Sequence, residues 1–380
     1  MDLDEFRSTL DAWLDQHAAA LTPSFEGGAS LDEEMDQLAK VRRLTFDAGF
    51  MRWGWPERVG GLGGSNLLRA YFGEALTARD LVEPGIYSMP EVLAPTLIDF
   101  APASLAADMV PRLLRGDEVW CQGFSEPGTG SNLAALTCRA ERDGDGSGSG
   151  WRITGQKVWT SLAQYATRCV LLTRTGPLES AHRGITAFFV DMDAPGITVR
   201  PIETMHGVEE FCEVFFDGVF VPADRVLGEV DKGWAIAMDL LPYERSTALW
   251  HRAAFLQRRL EQFLVQVPAD AVDPVALGQI TELLWAFRSR SRSTQRRLAA
   301  GETLGAETSI DKVLVASAEQ AVFDLVASGL APQIVAGDSE RDRRWRSEFL
   351  YSRAATIYGG SAEIQRNIIA RRLLELGDDR

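Results

Sequence analysis

Apolar residues at the start of the chain recur at spacings of three and four: Leu3, Phe6, Leu10, Trp13 and Leu14. That spacing places them on one face of a helix. A second amphipathic segment follows, LDEEMDQLAKVRRLTFDAGF (31–50), and the stretches near 65–80 and 103–115 carry the same period. Between them GWPERVGGLGGSN (54–66) has no period and is rich in glycine, which predicts a structured loop. At about residue 117 the texture changes. WRITGQKVWT, RCVLLTRT, GITAFFVDM, GITVRPIE and CEVFFDGVFV are short, rich in β-branched and aromatic residues, and bounded by turn residues. They predict an antiparallel β unit, with ERDGDGSGSGW (141–151) as an exposed, flexible hairpin tip.

From about residue 233 the helical texture returns. ALGQITELLWAFRSRSRSTQRRLAAG (276–301) and AETSIDKVLVASAEQAVFDLVASGL (306–330) are long amphipathic stretches, and APQIVAGDSERDRRW (331–345) reads as a polar loop. The last segment, SAEIQRNIIARRLLELG (361–377), sets Ile364, Ile368 and Ile369 on one face, with Ser361 as its N-cap and Gly377 as its stop. The pattern divides the chain into helices over 1–116, a β unit over 117–232 and helices over 233–380, and gives no function.

Composition narrows the possibilities. With 380 residues the chain can bury two or three cores. A net charge of −15 argues against non-specific binding to nucleic acid or an anionic membrane. No apolar run reaches the roughly 20 residues of a membrane span, and the start MDLDEFRSTLDAWLDQ is acidic rather than a secretory leader, so a cytoplasmic protein is expected. Cys121, Cys138, Cys169 and Cys212 form no CxxC pair, and His17, His182, His206 and His251 are scattered, so reduced thiols and no metal are expected.

The most informative stretch is SEPGTGSN (125–132), with two glycines, a proline and three hydroxyls. Such a loop lets backbone N–H groups and hydroxyls approach a polar or anionic ligand; on its own it is also an ordinary tight turn between strands. It does not stand alone. WPERVGGLGGS (55–65), GQKVWTSLAQYA (155–166), the long stretch 182–234 and IYGGSAEIQRNIIARRLLEL (357–376) follow in an order and at spacings that resemble the acyl-CoA dehydrogenase family over nearly the whole chain. The resemblance implies an α+β multidomain fold: an N-terminal helical domain, a middle antiparallel β-barrel-like domain and a C-terminal four-helix bundle. It implies FAD, lying between the β domain and the bundle and partly at a subunit interface.

Carried over by the same resemblance, Phe124 and Ser125 contact the flavin ring with Gln122 nearby. Gly130 and Ser131 lie near the flavin pyrophosphate and the substrate thioester. Trp159 packs on the isoalloxazine with Ser161 beside it, and Ser361 and Glu363 help to hold the cofactor. Without the resemblance, Trp159 is a core aromatic, and Ser361 and Glu363 are a helix cap and a first-turn acid.

One branch of the family carries its catalytic base just after the IY pair, where this chain has Gly359. Another carries it on a helix of the C-terminal domain immediately before an arginine, and Glu244–Arg245 matches that position. Pro242 is suited to the first position of a helix, which puts Glu244 in the first turn. There the positive end of the helix favours the charged carboxylate, while an apolar acyl pocket disfavours it. The implied reaction takes the α-proton of an acyl thioester onto Glu244 and passes the β-hydrogen as hydride to flavin N5, giving a trans-2-enoyl thioester. The Gly359 N–H, which survives the loss of a side chain, supports the enolate oxygen; one such donor contributes about 3–4 kcal/mol in an enzyme where it was removed. Arg245 is a substrate-contacting or structural cation.

The sequence also departs from the family. The RxxFGxP and GGxG stretches with which many homotetrameric members clamp the adenosine of a neighbouring subunit's FAD have no counterpart in RLEQFLVQVPADAVDPVALGQ (259–279) or FDLVASGLAPQIVAGDSE (323–340), and Asn132 replaces the loop's usual aspartate. This pattern resembles a bacterial subgroup with mixed α₂β₂ members. A homo- or hetero-oligomeric tetramer, a dimer of dimers, is therefore expected, with an acyl-CoA or carrier-protein thioester as substrate and an electron-transfer flavoprotein as acceptor. The alternatives are an FAD-sharing partner subunit that turns nothing over, and a same-fold flavin oxidase or monooxygenase, which would not need a glutamate before Arg245.

Overall fold

The structure is a computed structural model, and it describes residues 1–25, 29–145, 148–246 and 249–377. The amino-terminal part consists of α1 (Leu3–Gln16), α2 (Ala18–Leu21), α3 (Leu31–Asp47), α4 (Asn66–Ala78), α5 (Pro84–Tyr87), α6 (Met89–Phe100) and α7 (Ala103–Arg115). Phe6, Leu10 and Leu14 are buried, as the period predicts. Ser30 and Glu33 close a capping box at the start of α3, and Ser65 caps α4. The glycine-rich segment 54–66 is a loop with Gly54, Gly60, Gly63 and Gly64 at positive φ.

Eight strands follow among the described residues: β1 (Trp120–Gly123), β2 (Arg139–Asp143), β3 (Gly150–Ser161), β4 (Arg168–Arg174), β5 (Ile185–Asp191), β6 (Ile197–Ile202), β7 (Phe211–Pro222) and β8 (Val226–Leu227). They form one sheet in the order β6-β7-β3-β2-β4-β5-β8, with β1 on β4. Most pairs are antiparallel, but β1 runs parallel to β4 from Trp120↔Arg168 to Gly123↔Leu171, and β2 touches β4 in parallel at Arg139↔Arg174, so the sheet is mixed. β4 reads as an unbroken apolar run because both its faces are covered. Val170 and Leu172 join the helical core, while Cys169 and Leu171 join the core inside the sheet. The tip of the β2–β3 hairpin lies partly outside the described residues.

The remainder is α8 (Gly233–Glu244), α9 (Leu249–Gln266), α10 (Pro274–Ala299), α11 (Thr308–Gly329), α12 (Ala331–Ala336), α13 (Glu340–Ser352) and α14 (Ala362–Ile368). The segment expected to be a polar loop at 331–345 is instead α12 and the first half of α13. A Ser339–Asp342 capping box starts α13, and little more than Ile334 and Trp345 is buried, so no apolar stripe betrays the helices. At the end of the chain Ser361 caps α14 as expected. The helix gives way to a π-turn at Ile369–Leu373, and its fully buried positions are Ala362 and Gln365 rather than the three isoleucines. Asp80 ties the amino-terminal part to the bundle through Arg258, Arg259 and Arg344. No helix among the described residues is long and apolar enough to cross a membrane.

Candidate active site

β1 ends at Gly123, where a Cβ would stand 2.7 Å from Leu171 Cδ1 and 3.1 Å from Cys169 Sγ, so a side chain there would have to push these neighbours aside. The chain then turns into the 125–132 loop. A residue that the motif comparison did not single out fixes it. Lys157, fully buried on β3, donates to Glu126 Oε1 at 2.8 Å and to the Phe124 carbonyl at 3.2 Å. Glu126 also accepts from the Thr137 and Cys138 N–H groups and from the Thr137 hydroxyl. Burial would raise the Glu126 carboxyl, but Lys157 and these N–H groups outweigh it and its pKa lies below the ordinary glutamate value. Lys157 shares its period-two phase with the inward-facing Trp151 and Ile153. An inward lysine on a strand needs a partner, and that was the available signal.

Beyond Lys157 the β3–β7 register shifts, between Lys157 and Thr160. Trp159 sits in this bulge at φ 59° and is 57% exposed, with Phe211 edge-on to it at 6.1 Å. A bulge of this kind turns a side chain out of the core, so the reading of Trp159 as a core aromatic fails. Gly130, Ser131 and Asn132 are exposed, and a Cβ on Gly128 or Gly130 would meet only open space. The hydroxyls of Thr129 and Thr160 are buried with no hydrogen-bond partner among the described residues. An uncovered indole, open backbone over a glycine loop and orphaned hydroxyls beside both fit the flavin that the sequence implies.

Glu244 is the last residue of α8, with Arg245 as C-cap, and Pro242 lies within the last turn. The expectation of a first-turn position is therefore wrong. Ile236, Ala237 and Leu240 stay buried on one continuous helix up to the proline. The helix end facing the carboxylate is the negative one, and the conflict expected between dipole and desolvation does not arise. Glu244 is half-buried, and Gln122 Nε2 donates to its Oε2 at 3.4 Å. Its Oε1 lies 3.2 Å from the point where a Cβ on Gly359 would stand, and Lys312 Cε lies 3.1 Å from the same point. The two positions at which the sequence locates a base thus converge on one spot.

Gly359 has φ 61°, a left-handed conformation that disfavours any other residue. Its carbonyl accepts from Arg245 Nε at 3.3 Å and Gln365 Nε2 at 3.0 Å, and nothing among the described residues accepts from its N–H. Burial lowers the Arg245 pKa while Glu244 pulls it the other way. Ser361 stands two residues on, half-buried at the start of α14, and Glu363 is exposed in that helix's first turn. Phe124 is buried; Ser125, Ser161 and Gln122 are half-buried. A cavity of about 1200 Å³ lies between the β6–β7 loop, α9 and α13 on one side and α3 and the segment after α4 on the other, and none of the site residues named above lines it. Its wall includes Tyr351, whose ring is 6.0 Å from that of Tyr358.

The whole chain matches known proteins. Family models described as acyl-CoA dehydrogenase N-terminal, middle and C-terminal domains match residues 2–117, 121–219 and 231–374. Acyl-CoA dehydrogenase IpdE1 of Mycobacterium tuberculosis is 36% identical over 385 residues, covering 99% of this chain and 98% of that protein. Acyl-CoA dehydrogenase FadE34 of the same organism is 35% identical over 353 residues, covering 92% of this chain and 47% of its own length. Among solved structures, the Tcur3481-Tcur3483 steroid ACAD superposes with a TM-score of 0.83 at 26% identity, covering all of both chains. The ChsE4-ChsE5 complex from Mycobacterium tuberculosis does so with 0.80 at 25%, also over all of both chains.

Proposed function

The chain belongs to the acyl-CoA dehydrogenase family, an FAD-dependent oxidoreductase family, and from that premise we propose that Glu244 is the base for dehydrogenation of a bulky acyl thioester. The observation that carries this is the convergence of Glu244 Oε1 with the Gly359 backbone, whose N–H has no acceptor among the described residues. Glu244 takes the α-proton. The electron pair of that C–H bond forms the enolate, whose oxygen the Gly359 N–H meets as it gains charge. Gln122 steadies Glu244 from the strand side, and Arg245 holds the Gly359 carbonyl so that the opposite edge of that residue stays aimed at the substrate.

Phe124, Ser125, Gly130, Ser131, Trp159 and Ser161 hold the flavin from the β unit, and Ser361 and Glu363 from the end of the chain. FAD bound there supplies the two-electron acceptor for the β-hydrogen. An acyl group larger than a straight short chain is in keeping with the likeness to a protein named a steroid ACAD.

The test is anaerobic. The purified protein should be yellow, and a panel of acyl-CoA thioesters should bleach it, branched or polycyclic chains faster than butyryl. A yellow protein that none of them bleaches counts against the proposal. A second reading is favoured by the likeness to two-chain assemblies and by a 323–340 segment that lacks the family's glycine clamp: this chain completes its flavin site with a different partner chain. A colourless protein that turns yellow only with that partner supports it.

Gly359→Ala probes the convergence point. Its methyl group would enter at 3.1–3.2 Å from Lys312 and Glu244, at a φ that disfavours a side chain. The expected result is a stability loss of about 1–2 kcal/mol and roughly tenfold slower flavin reduction, read by thermal melting and stopped-flow bleaching.

A further inference from the structure

Lys312, on α11, is 3% exposed, yet no carboxylate among the described residues lies within ion-pair distance of it. Its ammonium is held by the Ala355 carbonyl at 2.5 Å and by the face of the Tyr358 ring at 4.2 Å. A buried ammonium with so little compensation is costly, and a chain that retains one at the spot where Glu244 and Gly359 meet has a use for it. Both of its holding contacts lie on the turn that carries Gly359. We propose that Lys312 is a positioning residue of the dehydrogenation site: it fixes the Ala355–Gly359 turn so that the Gly359 N–H stays aimed, and its positive charge supports negative charge moving from Glu244 to the thioester oxygen.

The surroundings agree. Burial lowers the Lys312 pKa to about 8, while Glu319 on its own helix and Glu244 on α8 raise it, and Arg252 on α9 and Arg245 after α8 lower it. The Arg252–Glu319 pair is closed on itself at 2.6 and 2.9 Å, with the Tyr358 hydroxyl also on Glu319 at 3.4 Å. Among the described residues Glu244 is thus the remaining acid whose charge acts on Lys312. The ammonium is charged below about pH 8 and loses its charge above it. The inference rests on Glu244 as the base.

The experiment uses the flavin-loaded protein and an acyl-CoA that bleaches it, following flavin reduction against pH in wild type, Lys312→Met, Lys312→Arg and Glu244→Gln. Lys312→Met is expected to keep its flavin and to reduce it about tenfold to a hundredfold more slowly. The wild-type rate should fall above about pH 8, and that limb should be missing in Lys312→Met. Lys312→Arg, which stays charged, should recover most of the rate and also lack the limb. A wild-type rate in Lys312→Met overturns the proposal, as does an Lys312→Arg that is as slow as Lys312→Met. If Lys312→Met loses its flavin, the other profiles decide: a wild-type rate flat from about pH 7 to 10 overturns it. Glu244→Gln separates the two claims. If it is inert while Lys312→Met is normal, only the lysine assignment fails; if it reduces flavin normally, the base assignment fails.

Discussion

Glu244→Gln is expected to slow flavin reduction by acyl-CoA by about 10²- to 10⁴-fold while leaving the flavin bound. The amide keeps the size of the carboxylate and can still accept from Gln122, so the end of α8 and its contact with β1 persist. What it loses is the capacity to take a proton. Of the residues placed at the flavin, Gln122 touches Glu244, and the amide can keep that contact; the 125–132 loop is held by Lys157 and Glu126, and Ser361 by its own helix. Flavin content and melting temperature should therefore match wild type. Glu244→Asp shortens the reach by one methylene at a site where a misplacement of an ångström is felt, so it should fall between the two. Stopped-flow bleaching under anaerobic conditions measures both. Full-speed reduction in Glu244→Gln would move the base elsewhere and leave Gly359 an ordinary turn glycine.

The order of helices, sheet and helices was legible because each unit holds its period long enough to read. Leu3 to Leu14 and the 306–330 stretch show a repeat near 3.6, and the short aromatic runs between show a repeat of two. The motifs around 125–132 and 357–367 then named the chemistry that the period could not. Local polarity misled at two places. Proline at 242 suits a helix start, and nothing nearby says that the turn before it is already helical. Here Ser246 Oγ bonds the Pro242 carbonyl at 2.6 Å and closes the helix end. The 331–345 segment has too few apolar residues to show a stripe. Its helix is held by polar contacts, Arg344 with Glu348 and Arg346 with the carbonyls of Ile334 and Gly337. The convergence of Glu244, Gly359 and Lys312 joins α8, α11 and the last turn of the chain, and a one-dimensional pattern does not contain it.

Lys157→Met should be the most damaging change to the fold around the flavin loop. The lysine and Glu126 are 0% and 4% exposed, so their attraction is little screened. Removing one partner leaves the other charged and buried, which costs roughly 3–5 kcal/mol. The damage is local as well as thermodynamic. Lys157 holds both the Phe124 carbonyl and the Glu126 carboxylate, the two anchors on the near side of the loop. The expected result is a large drop in melting temperature and a purified protein with little flavin. Adding Glu126→Gln should return part of the lost stability, because it removes the unbalanced buried charge, while the single amide oxygen can accept from only one of the Thr137 and Cys138 N–H groups that the two carboxylate oxygens now serve. The pH dependence offers an independent check. Glu126 has a folded pKa below its ordinary value, so its contribution is fully present above the unfolded value of about 4.3 and is lost as pH falls through the folded one. Wild type should thus lose stability over that acid range, and the double variant should lose less. If Lys157→Met instead melts with wild type and keeps its flavin, the loop is held by its backbone turn, and the Lys157–Glu126 pair has no part in shaping the site.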